Sequence, residues 1–429
     1  MQMQEKATIA AETEEVTIVE PQVVEEPPTA SKKQFYKYAA INFAFFITMT
    51  VGSYLNVFLE SIGFTPASVG RLAAINSGVG IFSSPFWGTL SDKLRSLRKI
   101  IIITLTTGGV LFALIPLFSR FNINGFYLLF LLIPLTTFFR QPVMSLIDTW
   151  MLRNCKKGNL DYGAIRAYGA LSFAIVAVAL GLVVPRTGPA FALYLSLLFT
   201  IPPVLIILFV KGAEDHGLEK KRLTMKEMQF GQLFKNYYLV TYIGFISIQR
   251  IPFHSAMIFL PFLIGEVGGN PAQVGIVMGV KAAVEIPLMM YLKKLRQKYP
   301  LYVLIIVATG FFVLEGILLS FATNFTWVII FSILHGIGNG LMIPCSSSYV
   351  FQLAPENLKA TAQTVLASVT GIAGIIGGVV GGIVAERFGL HQFYFIVGIM
   401  LAIGLTFFVI SLIIGEKILK IKRPGLSLV

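Results

Sequence analysis

Long apolar stretches alternate with short polar connections along most of this chain. From residue 36 onward the apolar stretches are about 20 residues long, the length that an α-helix needs to cross the roughly 30 Å hydrocarbon layer of a membrane. Twelve are present, at residues 36–59, 67–90, 100–119, 125–152, 162–184, 189–210, 236–264, 271–292, 301–321, 326–353, 358–385 and 391–415. Backbone groups in lipid must be satisfied within their own segment, so we expect twelve transmembrane α-helices.

The composition excludes a soluble enzyme. Of 429 residues, 55% are apolar and 13% are charged, whereas soluble proteins carry about 45–50% apolar and about 25% charged residues. The two cysteines, Cys155 and Cys345, form no metal-spaced motif, so we expect neither a disulfide framework nor a structural metal site. The chain has no Walker A motif, which argues against ATP hydrolysis. No cofactor is expected.

The charge distribution predicts a topology. The first 30 residues hold seven Glu and one Lys without an aromatic residue, which is typical of a disordered tail. Twenty-five basic residues lie in connections at one side of the predicted membrane, and the alternate connections hold four, namely Arg71, Arg120, Arg186 and Arg387. The positive-inside rule then places both termini of a multi-pass cell-membrane protein in the cytoplasm. This explains the net charge of +13 without nucleic-acid binding.

The longest internal polar stretch, Lys211 to Lys235, divides the chain into two halves. We expect an all-α membrane protein with two six-helix bundles. The predicted parts are a disordered acidic cytoplasmic tail (1–34), an N-terminal bundle (35–212), a cytoplasmic central loop (213–234), a C-terminal bundle (235–416) and a basic cytoplasmic tail (417–429). Small residues at helical spacing in the fifth and eleventh helices favour close helix packing, as in a transporter built from two parallel repeats.

Two loop motifs resemble those of the major facilitator superfamily. The segment Gly88-Thr-Leu-Ser-Asp92-Lys93, followed by Arg98, resembles the loop between its second and third helices, although the usual glycine before the final basic pair is missing. Gly381-Gly382 followed by Glu386-Arg387-Phe388-Gly389 resembles the end of its eleventh helix. The resemblance implies the major facilitator fold, with a central cavity between the bundles. Gly88, Asp92 and Arg98 would form a cytoplasmic gate or a structural brace.

A narrower resemblance points to the branch that holds the lactose permease, the nucleoside:proton symporters and the phenylpropionate permease. It is carried by residues 162–169, by Val284-Glu285-Ile286-Pro287, by Leu334-His335-Gly336 and by two segments at 354–356 and 361–363. It covers roughly residues 35–415. The branch implies secondary active transport of a small solute.

Ionisable residues within the predicted helices are the candidate functional groups, because a charge at mid-membrane costs about 2.5–3.5 kcal/mol even on the gentler insertion scales. They are the cations Arg140, Arg166, Arg250 and Lys281, the acids Asp148, Glu285 and Glu315, and the histidines His254 and His335. Each should face a cavity or a partner.

Asp148 and Arg166 are expected to form a pair. Each lies nine residues from the middle of the turn that joins the fourth and fifth helices, so both sit roughly 13 Å deep. Either the pair is a structural brace or it binds a polar substrate. The resemblance implies the second role, because this position matches the sugar-binding pair of the lactose permease. Phe173, two helical turns beyond Arg166 on the same face, matches its stacking aromatic ring, or else it only packs.

The C-terminal half repeats this construction. Glu285 and Glu315 are equidistant from Pro300, and Glu315 and His335 are equidistant from residue 325, in the short turn around Asn324. Three titratable groups at similar depth can exchange a proton near neutral pH, so Glu285, Glu315 and His335 are the candidates for proton coupling. Alternatively, Lys281 and Glu285 neutralise each other at i, i+4, and His335 only packs.

The resemblance implies that Glu285 and His335 bind substrate and transfer protons. Two departures affect that scheme. Gly338 stands where an acid is expected one turn after His335, and Glu315 stands where an arginine is expected. Glu315 therefore becomes the substitute candidate for the proton site.

Arg140 and Arg250 admit two interpretations. They neutralise the three acids, or they form a substrate-binding anion site, since four cations against three acids leave one positive charge.

The expected function is transport, not enzymatic catalysis. The sequence favours proton-coupled symport of a small polar solute, a sugar or a nucleoside, by a monomer whose partners are that solute, protons and the bilayer. Two alternatives remain open: an exporter of amphipathic or anionic compounds, and a non-transporting membrane receptor with the same fold.

Overall fold

The computed structural model describes residues 32–119, 121–123, 126–157, 160–210, 233, 235–355 and 358–422. The predicted acidic tail up to residue 31, nearly all of the predicted central loop and residues 423–429 lie outside the described residues.

The N-terminal half is built from eight α-helices and one short strand pair in its described residues. The helices are α1 (Lys32–Thr50), α2 (Leu55–Ser61), α3 (Pro66–Lys93), α4 (Leu97–Phe118), α5 (Leu129–Arg140), α6 (Val143–Lys157), α7 (Tyr162–Thr187) and α8 (Pro189–Phe209). A 3₁₀ turn, Val51–Tyr54, joins α1 to α2. Strands β1 (Asn122–Ile123) and β2 (Phe126–Tyr127) pair antiparallel between α4 and α5.

The C-terminal half has six α-helices in its described residues. They are α9 (Tyr237–Glu266), α10 (Val274–Lys298), α11 (Leu301–Leu319), α12 (Phe325–Leu353), α13 (Lys359–Phe388) and α14 (Leu390–Ile413). A 3₁₀ turn, Pro271–Gln273, precedes α10, and one turn of π-helix, Ile414–Ile418, extends α14.

Each of the twelve predicted stretches coincides with a helix or with a pair of consecutive helices, so the predicted all-α membrane fold is confirmed. Among the described residues, eleven helical segments are long and apolar enough to cross a membrane. The remaining stretch is α3, which has 28 residues but is diluted by Gly, Ser and Asn.

Two predicted helices are interrupted. The predicted fourth helix, 125–152, is wrong as one continuous element, because it splits into α5 and α6 at Gln141 and Pro142 and begins only at Leu129. Proline has no N–H to donate and its ring clashes with the preceding turn. The first stretch changes from α to 3₁₀ geometry at Val51.

Side-chain caps and glycines define several helix ends. The side chains of Thr65, Ser96 and Asn236 accept hydrogen bonds from backbone N–H groups in the first turns of α3, α4 and α9, which satisfies donors that have no partner within the helix. Gly188 and Gly389 adopt φ values of 85° and 80° where α7 meets α8 and α13 meets α14. Such positive φ values favour glycine, so these two tight helix–helix turns follow from the sequence.

The two halves meet through α3 against α13 and α7 against α10. The turns after α2, α7 and α13 lie on one side of the molecule, and the two described chain ends lie on the opposite side. We call the side with these turns the far side. Both contacts between the halves are made close to the far side. There the backbone N–H of Ala67 donates to Glu386 Oε2 at 2.9 Å, and Asn56 Nδ2 donates to the Ile258 carbonyl at 3.2 Å.

Glycines allow α3 and α13 to approach so closely. A Cβ on Gly378 would lie 2.7 Å from the Gly70 carbonyl oxygen, and one on Gly382 would lie 2.8 Å from the Pro66 carbonyl oxygen. The atoms in contact belong to the backbone, which cannot move aside as the end of a flexible side chain can. Any larger residue at these positions must therefore push the two halves apart on the far side.

Gly378→Leu is therefore expected to open the far side and to slow transport at least tenfold. The reporter is Ala74→Cys, in a background with Cys155 and Cys345 changed to Ser. Ala74 is a buried position of α3, and its backbone N would lie 3.0 Å from the Cβ added at position 378. Maleimide labelling of Cys at position 74 should rise. The matched control is Gly310→Leu, since Gly310 has open space around its Cβ direction among the described residues. Equal labelling in both variants would contradict the expectation.

Candidate functional site

Asp148 on α6 and Arg166 on α7 form the ion pair that their equal depth suggested. Arg166 Nη1 lies 2.6 Å from Asp148 Oδ1. The Tyr162 hydroxyl donates to the same carboxylate oxygen at 2.6 Å, and Arg166 Nη1 also donates to that hydroxyl at 3.1 Å. The three side chains close a triangle of charge-assisted hydrogen bonds, which are stronger than neutral ones. We call Asp148, Tyr162 and Arg166 the polar triangle.

The charged side chains of the polar triangle remain partly exposed. The side chains of Arg166 and Asp148 are 38% and 29% exposed, although both lie within helices of the membrane-spanning type. The Arg166 guanidinium carbon lies 5.4 Å from the ring centre of Phe46 on α1, within the range of a cation–π contact. Phe173 is half-buried two turns further along α7. The site thus offers a donor, acceptors and an aromatic face.

Sequence reasoning missed Tyr162 and Phe46 as members of this site. Tyr162 could have been found, because it precedes Arg166 by four residues and so lies on the same helical face. Phe46 could not, because no spacing rule relates α1 to α7.

Glu285 on α10 faces this site from the other half of the molecule. Asn339 Nδ2 on α12 donates to Glu285 Oε2 at 2.9 Å, and both residues are half-buried. The Arg166 charge acts on the Glu285 carboxyl, consistent with the packing of α7 against α10. The polar triangle and the Glu285–Asn339 pair therefore lie on opposite sides of the boundary between the two halves.

A second cluster is sealed within the C-terminal half. Lys281 Nζ lies 3.1 Å from Glu315 Oε1, and His335 Nδ1 lies 2.7 Å from Glu315 Oε2. All three side chains are less than 10% exposed. The rings of Phe253 and Phe312 each lie 5.3 Å from the His335 ring. We call Lys281, Glu315 and His335 the buried triad.

The alternative pairing of Lys281 with Glu285 is wrong. Lys281 turns to Glu315 because that carboxylate is buried and needs a cation, whereas half-buried Glu285 is served by the Asn339 amide. The three titratable candidates also divide into two groups, since Glu315 contacts His335 and Glu285 lies apart from them. Of the two expected surroundings for an intramembrane charge, a cavity or a partner, the buried triad has the second, because its three side chains are buried against one another.

Close packing explains why position 338 is occupied by glycine. A Cβ on Gly338 would lie 2.6 Å from the Phe312 ring and 3.0 Å from the Ala308 carbonyl oxygen, and one on Gly336 would lie 2.6 Å from the Lys281 carbonyl oxygen. This row of glycines lets α12 pack closely against α10 and α11. An acidic side chain at Gly338 would have no room, so the only carboxylate that contacts His335 among the described residues is Glu315.

Arg140 and Arg250 lie apart from the acids. Arg140 Nη2 donates to the Thr48 carbonyl at 3.0 Å and its guanidinium stacks 4.1 Å from the Phe112 ring centre. Arg250 stacks 5.1 Å from the Phe253 ring centre. Neither has an acidic oxygen within 4 Å among the described residues. The interpretation that they neutralise the three acids is therefore wrong for direct ion pairs.

The loop motif, Gly88, Asp92 and Arg98, lies where α3 ends and α4 begins, on the side of the described chain ends. None of its residues belongs to the polar triangle or to the buried triad. Asp92 is exposed at the end of α3, and Arg98 in the first turn of α4 donates to the Leu208 carbonyl of α8. Gly88 has open space around it among the described residues. Between them, Arg95 adopts a φ of 48°. Arg98 thus links α4 to α8 within one half, as a structural brace would.

Comparison with known proteins identifies the family. Residues 35–396 match the model of the MFS_1 like family. The chain belongs to this family. Its members are transporters of the major facilitator superfamily, so the predicted resemblance is confirmed and the chain is not an enzyme. As an MFS_1 like protein it is a membrane-embedded transporter that binds a small-molecule substrate, which leaves the receptor alternative without support.

Individual relatives have different activities. The chain is 23% identical over 361 residues to the maltose permease of Geobacillus stearothermophilus, covering 82% of this chain and 87% of the permease. It is 24% identical over 404 residues to the multi-drug resistance efflux pump PmrA of Streptococcus pneumoniae, covering 86% and 92%. The crystal structure of the nucleoside transporter NupG superimposes with a TM-score of 0.73 at 17% identity, covering 88% of this chain and 98% of that one. This likeness establishes the fold.

Proposed function

We propose that this MFS_1 like protein is a proton-coupled symporter of a small polar solute. The observation that carries the proposal is the polar triangle, which stays accessible at the boundary between two halves that meet elsewhere by backbone contact. A solute between Arg166 in one half and Glu285 in the other can contact both residues only in some relative orientations of the two halves. Alternating access then follows from rocking of the halves about this site.

A sugar or a nucleoside suits the chemistry of the polar triangle. Hydroxyl groups both donate and accept, and the site provides a carboxylate, a guanidinium and a phenol for them. The Phe46 ring beside Arg166, and half-buried Phe173 further along α7, provide apolar surface for a sugar or base face. Similarity to a maltose permease and to a nucleoside transporter supports this substrate class.

The buried triad is the proposed proton site. Glu315 lies among Lys281 on α10, His335 on α12 and Tyr394 on α14, and Arg250 on α9 acts on His335. Charges interact strongly in surroundings of low polarity. Adding or removing one proton on the triad therefore changes the attraction among its side chains, and with it the preferred positions of the helices that carry them. Glu285 is the second candidate, because it lies at the boundary between the halves.

The proposed orientation places both chain termini in the cytoplasm of the cell that carries the protein in its membrane, as the basic connections predict. With that orientation, the far side, where α3 contacts α13 and α7 contacts α10, faces outward. One copy of the chain contains the whole site, which is consistent with a monomer.

Uptake into liposomes that contain the purified protein tests the proposal. Labelled maltose, glucose and uridine are offered with an acidic exterior and a neutral interior, for protein that has its proposed cytoplasmic side inside. We expect one solute to accumulate, and a protonophore to abolish the accumulation. The matched control is Asp148→Asn, which keeps the size of the side chain and removes the charge. Accumulation that ignores the pH gradient would exclude symport with protons.

Export of amphipathic or anionic compounds is the second candidate function. The similarity to PmrA favours it, as do Arg140 and Arg250, which have no acidic partner within 4 Å among the described residues. The same liposomes distinguish the two, because an exporter driven by protons accumulates its solute with the opposite pH gradient.

A further inference from the structure

Arg250 is a cation in the C-terminal half that has no acidic counterion among the residues that the structure describes. It stands near the middle of α9, and in the described part of the chain no carboxylate oxygen lies within 4 Å of its guanidinium. Its Nε atom is buried and has no hydrogen-bond partner there. The charge is only partly screened by the Phe253 ring at 5.1 Å. An unpaired charge at this depth is costly, so the arrangement calls for a negative partner.

Among the described residues, three titratable groups interact electrostatically with Arg250, and none is a carboxylate. They are His254 one turn along α9, Tyr242 two turns earlier on α9, and His335 on α12. The Nε2 atom of His254 is also buried without a partner among the described residues. Glu315, which contacts His335, already serves both His335 and Lys281. This corner of the molecule therefore has unused hydrogen-bond donors and excess positive charge.

Arg140 is the useful contrast. It too has no acidic oxygen within 4 Å in the described part of the chain, but its guanidinium donates to the Thr48 carbonyl at 3.0 Å and lies 4.1 Å from the centre of the Phe112 ring. Thr48 lies three residues before the change from α to 3₁₀ geometry, where the regular pattern of backbone hydrogen bonds is interrupted. Arg140 thus has a structural partner in the N-terminal half, and Arg250 does not.

We propose that Arg250 binds an anionic group, a carboxylate or a phosphate, of the transported solute. The guanidinium is suited to both groups, because its N–H donors match two oxygens of either. The inference rests on the proposed function: the polar triangle would hold the hydroxyl-bearing part of the same solute, and Arg250 its acidic part. The Arg250 charge acts on His335, so an anion that neutralises Arg250 would link solute binding to the buried triad through charge.

Binding of matched neutral and anionic solutes tests the inference. The full chain is purified in detergent, and dissociation constants are measured for glucose, glucuronate, glucose 6-phosphate, uridine and uridine monophosphate at low salt. We expect at least one anionic compound to bind at least tenfold more tightly than its neutral parent. Glucuronate and glucose 6-phosphate separate a carboxylate site from a phosphate site.

Three variants complete the test. Arg250→Gln should abolish the preference for the anion, and Arg250→Lys should retain part of it. The control Arg71→Gln removes an exposed cation on the far side and should leave the preference unchanged. The inference is overturned if the wild type prefers no anionic compound, or if the preference survives in Arg250→Gln. Binding of a neutral solute that depends on Asp148 but not on Arg250 would leave the proposed function standing while this inference fails.

Discussion

Replacing Arg166 with glutamine is expected to lower the kcat/KM for transport roughly a hundredfold. The variant removes the partner of Asp148 at 2.6 Å and the cation that acts on Glu285 across the boundary. Hydrogen bonds to charged groups contribute about 1.5–3 kcal/mol each. Loss of two from a bound solute costs about 3 kcal/mol, and every 1.36 kcal/mol is about tenfold in rate. Initial uptake rates across a range of solute concentrations measure the effect.

Stability should hardly change in this variant. The Arg166 and Asp148 side chains are 38% and 29% exposed, and ion pairs with such access to water contribute about 0–1 kcal/mol. An unchanged thermal midpoint together with lost transport therefore separates a binding role from a structural one. Tyr162→Phe is the graded control, since it removes one hydroxyl from the triangle and should cost less. A folded Arg166→Gln protein with wild-type uptake would place the solute elsewhere.

The pairing of Asp148 with Arg166 was predictable because a short turn joins consecutive antiparallel helices. Counting residues back from the turn gives depth directly, and two opposite charges at equal depth on neighbouring helices can meet. The helix stretches themselves were predictable for a similar reason, since the thickness of the bilayer sets their length. The break at Pro142 was not predicted, because a proline does not always interrupt a helix: Pro134 and Pro287 lie inside continuous ones.

Contacts between helices that are not consecutive were beyond sequence reasoning. Asn339 meets Glu285 because α12 packs against α10, where a Cβ on Gly340 would lie 3.1 Å from the Glu285 carbonyl oxygen. That packing sets the rotation of each helix about its own axis, which residue counting cannot supply. Lys281 illustrates the consequence: its i, i+4 neighbour Glu285 was a plausible partner, yet the rotation of α11 brings Glu315 to it.

The same rotation explains why Arg250 and Arg140 differ. Both were equivalent in the sequence as unpaired cations near prolines. The structure gives Arg140 the Thr48 carbonyl and leaves Arg250 beside histidines. A count of charges predicted an excess of one cation, but only the packing of α9 shows where that excess lies.

Glu315→Gln is expected to destabilise the protein by about 3–5 kcal/mol, because it leaves the Lys281 ammonium buried without a counterion. Lys281 and Glu315 side chains are 7% and 9% exposed, and their charged atoms are 3.1 Å apart. The thermal midpoint should therefore fall by several degrees, whereas Glu285→Gln, at a half-buried site with an amide partner, should change it little.

The double variant Lys281→Met/Glu315→Gln separates stability from coupling. Removing both charges together leaves neither member of the Lys281–Glu315 pair as a buried charge without its partner, which is the condition that makes loss of one member costly. We expect this variant to recover the thermal midpoint and to bind solute through the intact polar triangle, but to lose accumulation driven by a pH gradient. Downhill exchange of labelled solute measures binding and movement without protons. Gradient-driven accumulation that persists in the double variant would assign the proton to Glu285, because the carboxylate nearest His335 would then be dispensable.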